Sequence, residues 1–300
     1  MRVCVIGAGL MGAQIGCEYA LGGHDVTLVA RDTGAVSRRV DAAFGVLEEH
    51  GLAGSDELGA ARERIAIGGE LGADALACDL AVESLPEELE LKASMLRSVA
   101  LASPGAILAS NTSSFSITAL GTAIGAAAER LVGTHYLNPP LLMPPVEVIA
   151  GERTDPAVVD TMRTTLAALG KLPVAVERDV PGFVWNRLQF ALVRECVWLV
   201  ENGVASAETV DEVMRSGLAR RWRHVGPFRL MALGGLDTWD RSGANILPSL
   251  STALALPGLR ARSDRRRPRG RRPRPRRSAR ARAARGARES GRLPDRADTG

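Results

Sequence analysis

The fold is decided near the amino terminus, where the chain reads Val3-Cys4-Val5-Ile6-Gly7-Ala8-Gly9-Leu10-Met11-Gly12. The four apolar residues predict a short buried strand, and the pattern Gly-x-Gly-x-x-Gly follows directly. The segment Leu10–Leu21 has helical periodicity and predicts a helix. A strand, a glycine turn and a helix in this order are typical of a dinucleotide site, because free N–H groups at the helix start hold the phosphates. We expect the contacts to come from Gly7, Ala8, Gly9, Leu10, Met11 and Gly12.

The end of the next predicted strand, Val26–Val29, bears on the choice between NAD and NADP. An NAD site usually has an acidic residue there, which binds the ribose hydroxyls. Ala30 occupies that place here, and Arg31 follows it. Arg31 is suited to the 2′-phosphate of NADP, or it is only a solvated turn residue, while Asp32 is a second candidate for the ribose. These residues leave both cofactors open.

The first 180 residues alternate predicted strands with predicted helices, which is typical of an α/β fold with a parallel sheet. The predicted strands are Val3–Ile6, Val26–Val29, Leu80–Glu83, Ile107–Ser110, Leu131–Thr134 and Val174–Glu177. The predicted helices between them are Leu10–Leu21, Ala35–His50, Pro86–Leu101 and Pro156–Leu169. After Gly182 only helical patterns follow, at Phe183–Asn202, at Ser206–Ser216 and from Gly226. We therefore expect a doubly wound Rossmann domain over residues 1–179 and an all-α domain over residues 180–258.

Charge is distributed unevenly along the chain. The net charge is +4, but residues 259–300 hold 17 arginines, no lysine and 4 acidic residues, whereas residues 1–258 hold 21 basic and 30 acidic ones. The acidic body gives no electrostatic basis for binding nucleic acid. No apolar run approaches the ~18 residues of a membrane helix. Four scattered cysteines without a CxxC pair favour a reducing compartment and argue against a zinc site. We expect a cytoplasmic protein with no metal, membrane or specific nucleic-acid partner.

The segment 259–300 consists mainly of Arg, Pro, Ala, Gly and Ser, and it has too few apolar residues to fold. The whole chain has 36 arginines and only two lysines, which indicates a GC-rich gene. A GC-rich gene translated out of frame gives residues of this kind, so we expect a frameshift product. The alternative is a native disordered tail that binds polyanions. If the end of the second domain is lost in this way, exposed apolar surface favours aggregation.

One histidine stands out among the four of the chain, His24, His50, His135 and His224. His135 ends the predicted strand at Leu131, at the edge where open α/β sheets place their chemistry. Glu147 follows it by twelve residues and is a carboxylate within an apolar run. A buried carboxylate needs a partner, and a histidine needs an orienting acid to act as a base. A His135–Glu147 pair is one interpretation, and an unrelated buried glutamate is the other.

Four stretches together resemble the L-3-hydroxyacyl-CoA dehydrogenase family and its lambda-crystallin-like relatives. They are the glycine loop, Ser110-Asn111-Thr112-Ser113-Ser114-Phe115-Ser116-Ile117, His135-Tyr136-Leu137-Asn138-Pro139-Pro140 with Val146-Glu147-Val148-Ile149, and Pro181-Gly182-Phe183-Val184-Trp185-Asn186-Arg187-Leu188. The resemblance covers roughly residues 1–256. It implies a Rossmann domain, a helical domain that forms a homodimer, and NAD as the cofactor, with NADP as the alternative raised by Ala30 and Arg31.

The resemblance also implies roles for single residues. His135 matches the catalytic base, and Glu147 matches the carboxylate that orients it. Ser113 and Asn186 match residues that bind the substrate oxygens. The remaining matches are cofactor contacts, namely Ser113 and Asn138 at the nicotinamide ribose, and Glu87 and Lys92.

Three of these residues have simpler interpretations. Ser113 is otherwise a turn cap, and Asn186 is otherwise a buried amide bonded to backbone. Lys92 is otherwise a solvated side chain on a helix face, paired with Glu88 four residues before it.

The resemblance implies hydride transfer between a nicotinamide cofactor and C3 of a 3-hydroxyacyl-CoA, such as 3-hydroxybutyryl-CoA, as in fatty-acid metabolism. Three departures from the family pattern open alternatives. First, a double proline, Pro144-Pro145, stands where the acyl-CoA enzymes commonly have a lysine. Second, the hairpin that helps to hold CoA in the family is matched only by Arg38, Arg39 and Arg62. Third, the closing helix of the family is missing. The alternatives are a dehydrogenase of a free 3-hydroxy acid and a nucleotide-binding but inactive product.

Overall fold

The computed structural model describes residues 1–256. The chain forms two compact units, of which the first is Met1–Val193 and the second begins at Arg194. The segment 259–300, for which we predict a frameshifted or disordered tail, lies outside the described residues, as do the last two positions of the predicted helical domain. The domain limits drawn from the sequence stay a prediction.

The first unit is built on an eight-stranded sheet with the strand order β3-β2-β1-β4-β5-β6-β7-β8. All neighbouring strands are parallel except β6 and β7, which are antiparallel. The strands are β1 Arg2–Ile6, β2 Asp25–Val29, β3 Ile65–Gly68, β4 Leu80–Glu83, β5 Ile107–Ser110, β6 Leu131–Tyr136, β7 Pro145–Ala150 and β8 Leu172–Val176.

Helices pack on both faces of this sheet. They are α1 Leu10–Leu21, α2 Thr33–Glu49, α3 Ser55–Glu63, α4 Ala73–Leu76, α5 Leu89–Ala102, α6 Ile117–Ile124 and α7 Pro156–Ala168. Two apolar cores result, one against α1, α2 and α7 and the other against α5 and α6. Val5 and Leu28 belong to the first core, and Cys4 and Leu108 to the second, all at 0% exposure. Because neighbouring strand residues face opposite sides, apolar runs such as Val3–Ile6 supply both cores.

The second unit is helical in its described part. Helix α8, Trp185–Glu201, continues into it from the first unit, and α9 Ala207–Val213, α10 Arg220–Trp222, α11 Pro227–Gly234 and α12 Leu236–Ile246 follow. The Ser206 side chain caps α9 by accepting a hydrogen bond from the Thr209 N–H. Near the end of the described chain, the Ser251 N–H donates to Oε2 of Glu195 at 2.8 Å.

The fold class predicted from the sequence is confirmed: a mostly parallel doubly wound sheet is followed by a helical region. Some details differ. Strands β3 and β7 and helices α3, α4 and α6 are not among the predicted elements, and β3, Ile65–Gly68, is short and only half-buried. Strand β7 runs antiparallel to β6, because the short connection between them allows a hairpin, whereas a parallel pair needs a long crossover. Within residues 1–256, no helix is long and apolar enough to cross a membrane.

Candidate active site

The glycine loop has the geometry that a dinucleotide requires. Gly7 has φ +94°, in the region that favours glycine, and a Cβ on Gly12 would lie 2.3 Å from the Gly7 carbonyl oxygen. A Cβ on Gly9 would meet nothing nearer than 4.0 Å, so open space lies beside the backbone there. The N–H groups of Gly7 and Ala8 donate to the Val29 carbonyl, at 2.9 and 3.1 Å. The loop therefore presents the start of α1 to a phosphate and fits a dinucleotide.

The three residues after β2 lie in different environments. The carboxylate of Asp32 accepts a hydrogen bond from the Ala35 N–H at 2.8 Å and caps α2. Ala30 is half-buried and Arg31 is exposed. One oxygen of Asp32 therefore accepts a hydrogen bond from the helix, while the Arg31 side chain is exposed to solvent. The role of Ala30 and Arg31 in selecting NADP stays a prediction.

Lys92 lies in a buried cluster at the carboxyl end of β4. Its side chain is 1% exposed, and the ammonium lies 2.8 Å from Oε1 of Glu83, 3.0 Å from the Leu85 carbonyl oxygen and 3.4 Å from Oε2 of Glu87. The alternative of a solvated lysine paired with Glu88 is therefore wrong. All three donors of the ammonium face protein acceptors. This arrangement favours an indirect role for Lys92, through Glu87, over a direct cofactor contact.

Glu87 connects this cluster to the serine-rich loop. Its carboxylate accepts hydrogen bonds from the Ser113 N–H at 2.7 Å and from the Thr112 hydroxyl at 2.9 Å. Burial by itself raises the pKa of Glu87, but these hydrogen bonds and the charge of Lys92 outweigh it, so the pKa lies below its usual value. Glu87 is therefore an anion at neutral pH that holds the Ser113 backbone in place.

Ser113 and Asn186 are brought together. The Asn186 side-chain amide donates to the Ser113 carbonyl oxygen at 3.2 Å, and the Ser113 hydroxyl donates to Glu87 at 3.1 Å. The interpretation of Asn186 as an amide bonded to backbone thus describes one of its contacts. Asn138 is exposed just after β6. None of the hydrogen bonds found among residues 1–256 joins it to this network.

His135 and Glu147 are direct partners across the antiparallel pair β6–β7. Residues opposite each other in such a pair point to the same face. Nδ1 of His135 lies 2.7 Å from Oε2 of Glu147, and the two residues are only 5% and 3% exposed. The predicted pair is therefore present, and its alternative, an unrelated buried glutamate, is wrong.

The second oxygen of Glu147 is also occupied. It accepts hydrogen bonds from the N–H groups of Val184 and Trp185, at 2.9 and 2.8 Å, where α8 begins. Burial acts to raise the pKa of Glu147, but the hydrogen bonds from His135, Trp185 and Val184 outweigh it and lower the pKa. The carboxylate is ionised at neutral pH and holds a proton on the facing nitrogen of His135.

Phe183 completes the surroundings of the histidine. Its ring centroid is 5.6 Å from that of His135, and its side chain is 1% exposed. The turn that places it uses φ +79° at Gly182 and +47° at Phe183, which is strained for a residue with a side chain. The strain is tolerated because the same turn delivers the Val184 and Trp185 N–H groups to Glu147.

Two site residues carried no predicted role. Glu83 is 0% exposed and accepts hydrogen bonds from Lys92 and, at 2.6 Å, from the Ser110 hydroxyl. Asn111 accepts from the Tyr136 N–H at 2.9 Å and donates to Ser84 at 3.2 Å. The sequence contains a signal for Glu83, because an acidic residue at the end of an apolar strand needs a buried partner. Glu147, an acidic residue within an apolar run, is singled out for the same reason.

Comparison with known proteins agrees with this geometry. The family model described as 3-hydroxyacyl-CoA dehydrogenase, NAD binding domain, matches residues 2–180, and the one described as 3-hydroxyacyl-CoA dehydrogenase, C-terminal domain, matches residues 182–254. The chain belongs to the 3-hydroxyacyl-CoA dehydrogenase family. The resemblance drawn from its motifs is confirmed, and so is NAD as the cofactor of its first domain.

Three relatives show the range of activities within the family. The crystal structure of 5-formyl-3-hydroxy-2-methylpyridine 4-carboxylic acid 5-dehydrogenase, an NAD⁺-dependent dismutase, has a TM-score of 0.78 and 34% identity over 88% of this chain and 86% of that one. L-Carnitine dehydrogenase of Streptomyces griseus is 38% identical over 78% of this chain and 70% of its own. A probable 3-hydroxybutyryl-CoA dehydrogenase of Deinococcus radiodurans is 36% identical over 79% of this chain and 84% of its own. This chain is an oxidoreductase of the family, and its substrate is a separate question.

Proposed function

We propose that this protein is an NAD-dependent dehydrogenase that oxidises the hydroxyl group of a free 3-hydroxy acid. The observation that carries the dehydrogenase activity is the buried pair His135–Glu147, in which an ionised carboxylate holds one ring nitrogen. NAD supplies the acceptor for the hydride that leaves C3 of the substrate.

His135 serves as the general base in this proposal. Because Glu147 fixes a proton on Nδ1, the other ring nitrogen, Nε2, carries the lone pair. Nε2 takes the proton of the substrate hydroxyl while the carbon–hydrogen bond breaks, so that a carbonyl group forms. Glu147 then stabilises the imidazolium, and the Phe183 ring limits water around it.

Ser113 and Asn186 orient the substrate in this proposal. Each has a polar side chain in the network that begins at Lys92 and Glu87, which restricts its position before substrate binds. The second N–H of the Asn186 amide, and the Ser113 hydroxyl once it turns from Glu87, donate to the substrate oxygens and hold C3 in one orientation. Asn138, exposed after β6, would contact the nicotinamide ribose.

A free acid is favoured over a CoA thioester by the state of two of the three arginines on the hairpin α2–α3. Arg62 forms an ion pair with Asp41 and lies over the Phe44 ring, 5.2 Å from its centroid. Arg39 donates to the Ala8 carbonyl oxygen at 3.3 Å. Side chains already engaged in this way are less suited to the phosphates of CoA. Two of the relatives are also named for substrates that are not CoA thioesters, namely a pyridine carboxylic acid and L-carnitine.

A 3-hydroxyacyl-CoA, such as 3-hydroxybutyryl-CoA, is the second candidate substrate. It is supported by the two family models and by the Deinococcus radiodurans relative. It would place the enzyme in fatty-acid metabolism.

One comparison of rates separates these candidates. NADH formation is measured with L-carnitine, 3-hydroxybutyrate and 3-hydroxybutyryl-CoA, each with NAD and with NADP. We expect kcat/KM for a free acid to exceed that for the thioester by about tenfold or more, which corresponds to about 1.4 kcal/mol of transition-state stabilisation. The reverse order supports the second candidate. If no 3-hydroxy compound is oxidised, both candidates are wrong.

We also propose that the second unit forms a homodimer. Its helices α11 and α12 expose large apolar side chains, with Phe228 at 82%, Leu233 at 71% and Leu236 at 66% exposure. Surfaces of this kind are covered by a partner in stable proteins. Sedimentation equilibrium should give twice the 31.7 kDa mass of one chain. A monomeric or heterogeneous aggregated protein would argue against the dimer.

A further inference from the structure

The chain has only two lysines but 36 arginines, and both lysines are buried. Lys92 belongs to the candidate active site. Lys171 precedes β8, its side chain is 5% exposed, and the proposed mechanism does not use it. A buried ammonium is costly unless every donor finds an acceptor, so the acceptors of Lys171 show which part of the protein depends on it.

Three acceptors surround the Lys171 ammonium. Its Nζ lies 2.5 Å from Oε1 of Glu18, 2.6 Å from the Pro140 carbonyl oxygen and 3.2 Å from the Met143 carbonyl oxygen. Glu18 lies on α1, the helix that begins at the glycine loop. The other oxygen of Glu18 is buried, and no hydrogen-bond partner for it is found among residues 1–256. Lys171 therefore joins α1 to the segment between β6 and β7.

We name this segment, Leu137–Pro144, the β6–β7 loop. It begins two residues after His135 and ends three residues before Glu147, so it connects the two members of the candidate catalytic pair. Inside it, the N–H groups of Leu142 and Met143 both donate to the Pro139 carbonyl oxygen at 3.1 Å.

Few of the hydrogen bonds found among residues 1–256 join the loop to the rest of the protein. The Leu172 N–H donates to the Pro144 carbonyl oxygen at 2.8 Å, and Lys171 binds the two carbonyls named above.

The same loop forms one wall of a cavity of about 320 Å³. Pro139, Leu141 and Leu142 line it on the loop side. Leu10 of the glycine-loop helix and Arg39 of α2 line the opposite side. A shift of the loop therefore changes both the width of this cavity and the position of Asn138, which precedes Pro139 in the chain.

We propose that Lys171 is a positioning residue, which holds the β6–β7 loop against α1 in the form that binds cofactor and substrate. This inference rests on the proposed dehydrogenase function. Arginine is a poor replacement, because its planar guanidinium cannot direct three donors from one nitrogen to these acceptors. That geometry accounts for a lysine at this place in a chain that has 36 arginines and only two lysines.

The test compares Lys171→Met with Met162→Ala, a control that removes buried volume from α7 and is not a partner of the ammonium. For Lys171→Met we expect the substrate KM to rise about tenfold while kcat changes less than about threefold. Partial unfolding, by contrast, lowers the active fraction and therefore kcat but leaves KM unchanged. Met162→Ala should show that second pattern.

A second readout does not depend on activity. Hydrogen exchange of the Leu142 and Met143 amides reports opening of the loop. We expect it to be at least about tenfold faster in Lys171→Met than in the wild type, with no such change in Met162→Ala. Glu18→Gln leaves the two hydrogen bonds from Lys171 to the loop carbonyls in place, so its loop exchange should rise less than that of Lys171→Met.

If Lys171→Met does not fold, Lys171→Arg takes its place, with the same rise in KM and in loop exchange expected. Unchanged KM and unchanged loop exchange in a folded Lys171 variant would overturn the proposal. A wild type that oxidises no 3-hydroxy compound would instead refute the proposed function, and the exchange experiment would still decide whether Lys171 holds the loop.

Discussion

The two compact units of the chain differ sharply in how much of their side-chain surface is buried. The first has two apolar cores, with residues such as Val5 and Leu108 at 0% exposure. In the second, over residues 194–256, only Val210 and Ser251 are buried. A unit with its own core can hold a buried ion pair at fixed geometry, whereas one without a core needs a covering surface. The candidate chemistry therefore lies in the first unit, and the second has the exposed apolar surface for which we propose a dimer contact.

The largest effect is expected at His135. His135→Gln removes the general base, so kcat should fall by about a hundredfold or more. NADH binding, measured by fluorescence titration, and the dimer mass should stay unchanged, because the glycine loop and the helical unit are untouched. Turnover close to that of the wild type would contradict the assigned role.

Glu147→Gln should have a smaller effect on the same reaction. The amide keeps the size of the side chain but cannot stabilise an imidazolium, so we expect kcat to fall by about tenfold and its pH profile to shift. Initial rates across pH check both. Equal pH profiles for the variant and the wild type would mean that Glu147 does not act on the titration of the base.

The lowered pKa of Glu147 also makes a prediction for stability. A carboxylate whose pKa is lowered by folding stabilises the folded protein at pH values above its pKa in the unfolded chain, which is about 4.5. This stabilisation is lost as the pH falls through the pKa of the folded state. Urea unfolding should therefore show that the wild type loses stability more steeply than Glu147→Gln as the pH decreases below about 4.5. Parallel curves for the two proteins would count against the ionised pair.

In the helical unit, Phe228→Asp should weaken the proposed dimer and leave the candidate catalytic pair unaltered, whereas His135→Gln should do the reverse. A charge at a side chain that is 82% exposed in the single chain costs little there, but it opposes burial in a dimer. We expect the dimer dissociation constant to rise about tenfold or more in sedimentation experiments, with NADH binding unchanged. A variant that stays fully dimeric would place the interface elsewhere.

The smallest effect is expected at Arg31. If its exposed guanidinium meets a 2′-phosphate, Arg31→Ala should weaken NADPH binding about fivefold to tenfold and leave NADH binding nearly unchanged. Titration of both cofactors measures the difference. Equal weakening of the two would remove Arg31 from cofactor selection and leave it as a surface residue.

The same comparison shows which features the sequence could predict. The glycine loop is local, so three glycines between a strand and a helix are enough to place it. The His135–Glu147 pair is not local: spacing left two interpretations, and only the antiparallel register of β6 and β7 decides between them. Its assignment from the sequence came from the family resemblance.

Lys92 shows a limit of helical periodicity. Glu88 stands four residues before it, which is typical of a solvated pair, and the position of Glu83 on β4 cannot be deduced from a helix pattern. Lys171 was not predicted at all, because its acceptors are mainly backbone carbonyls of a distant loop. Contacts between side chains and remote backbone leave no pattern in one sequence.

The most direct test of the central claim is a double-mutant cycle at His135 and Glu147. Rates are measured for the wild type, His135→Gln, Glu147→Gln and the double variant. If the carboxylate acts only through the histidine, the double variant should be no slower than His135→Gln alone, because residues that act as a unit are not additive. Losses in kcat that multiply in the double variant would show that the two residues act independently, and they would contradict the catalytic pair.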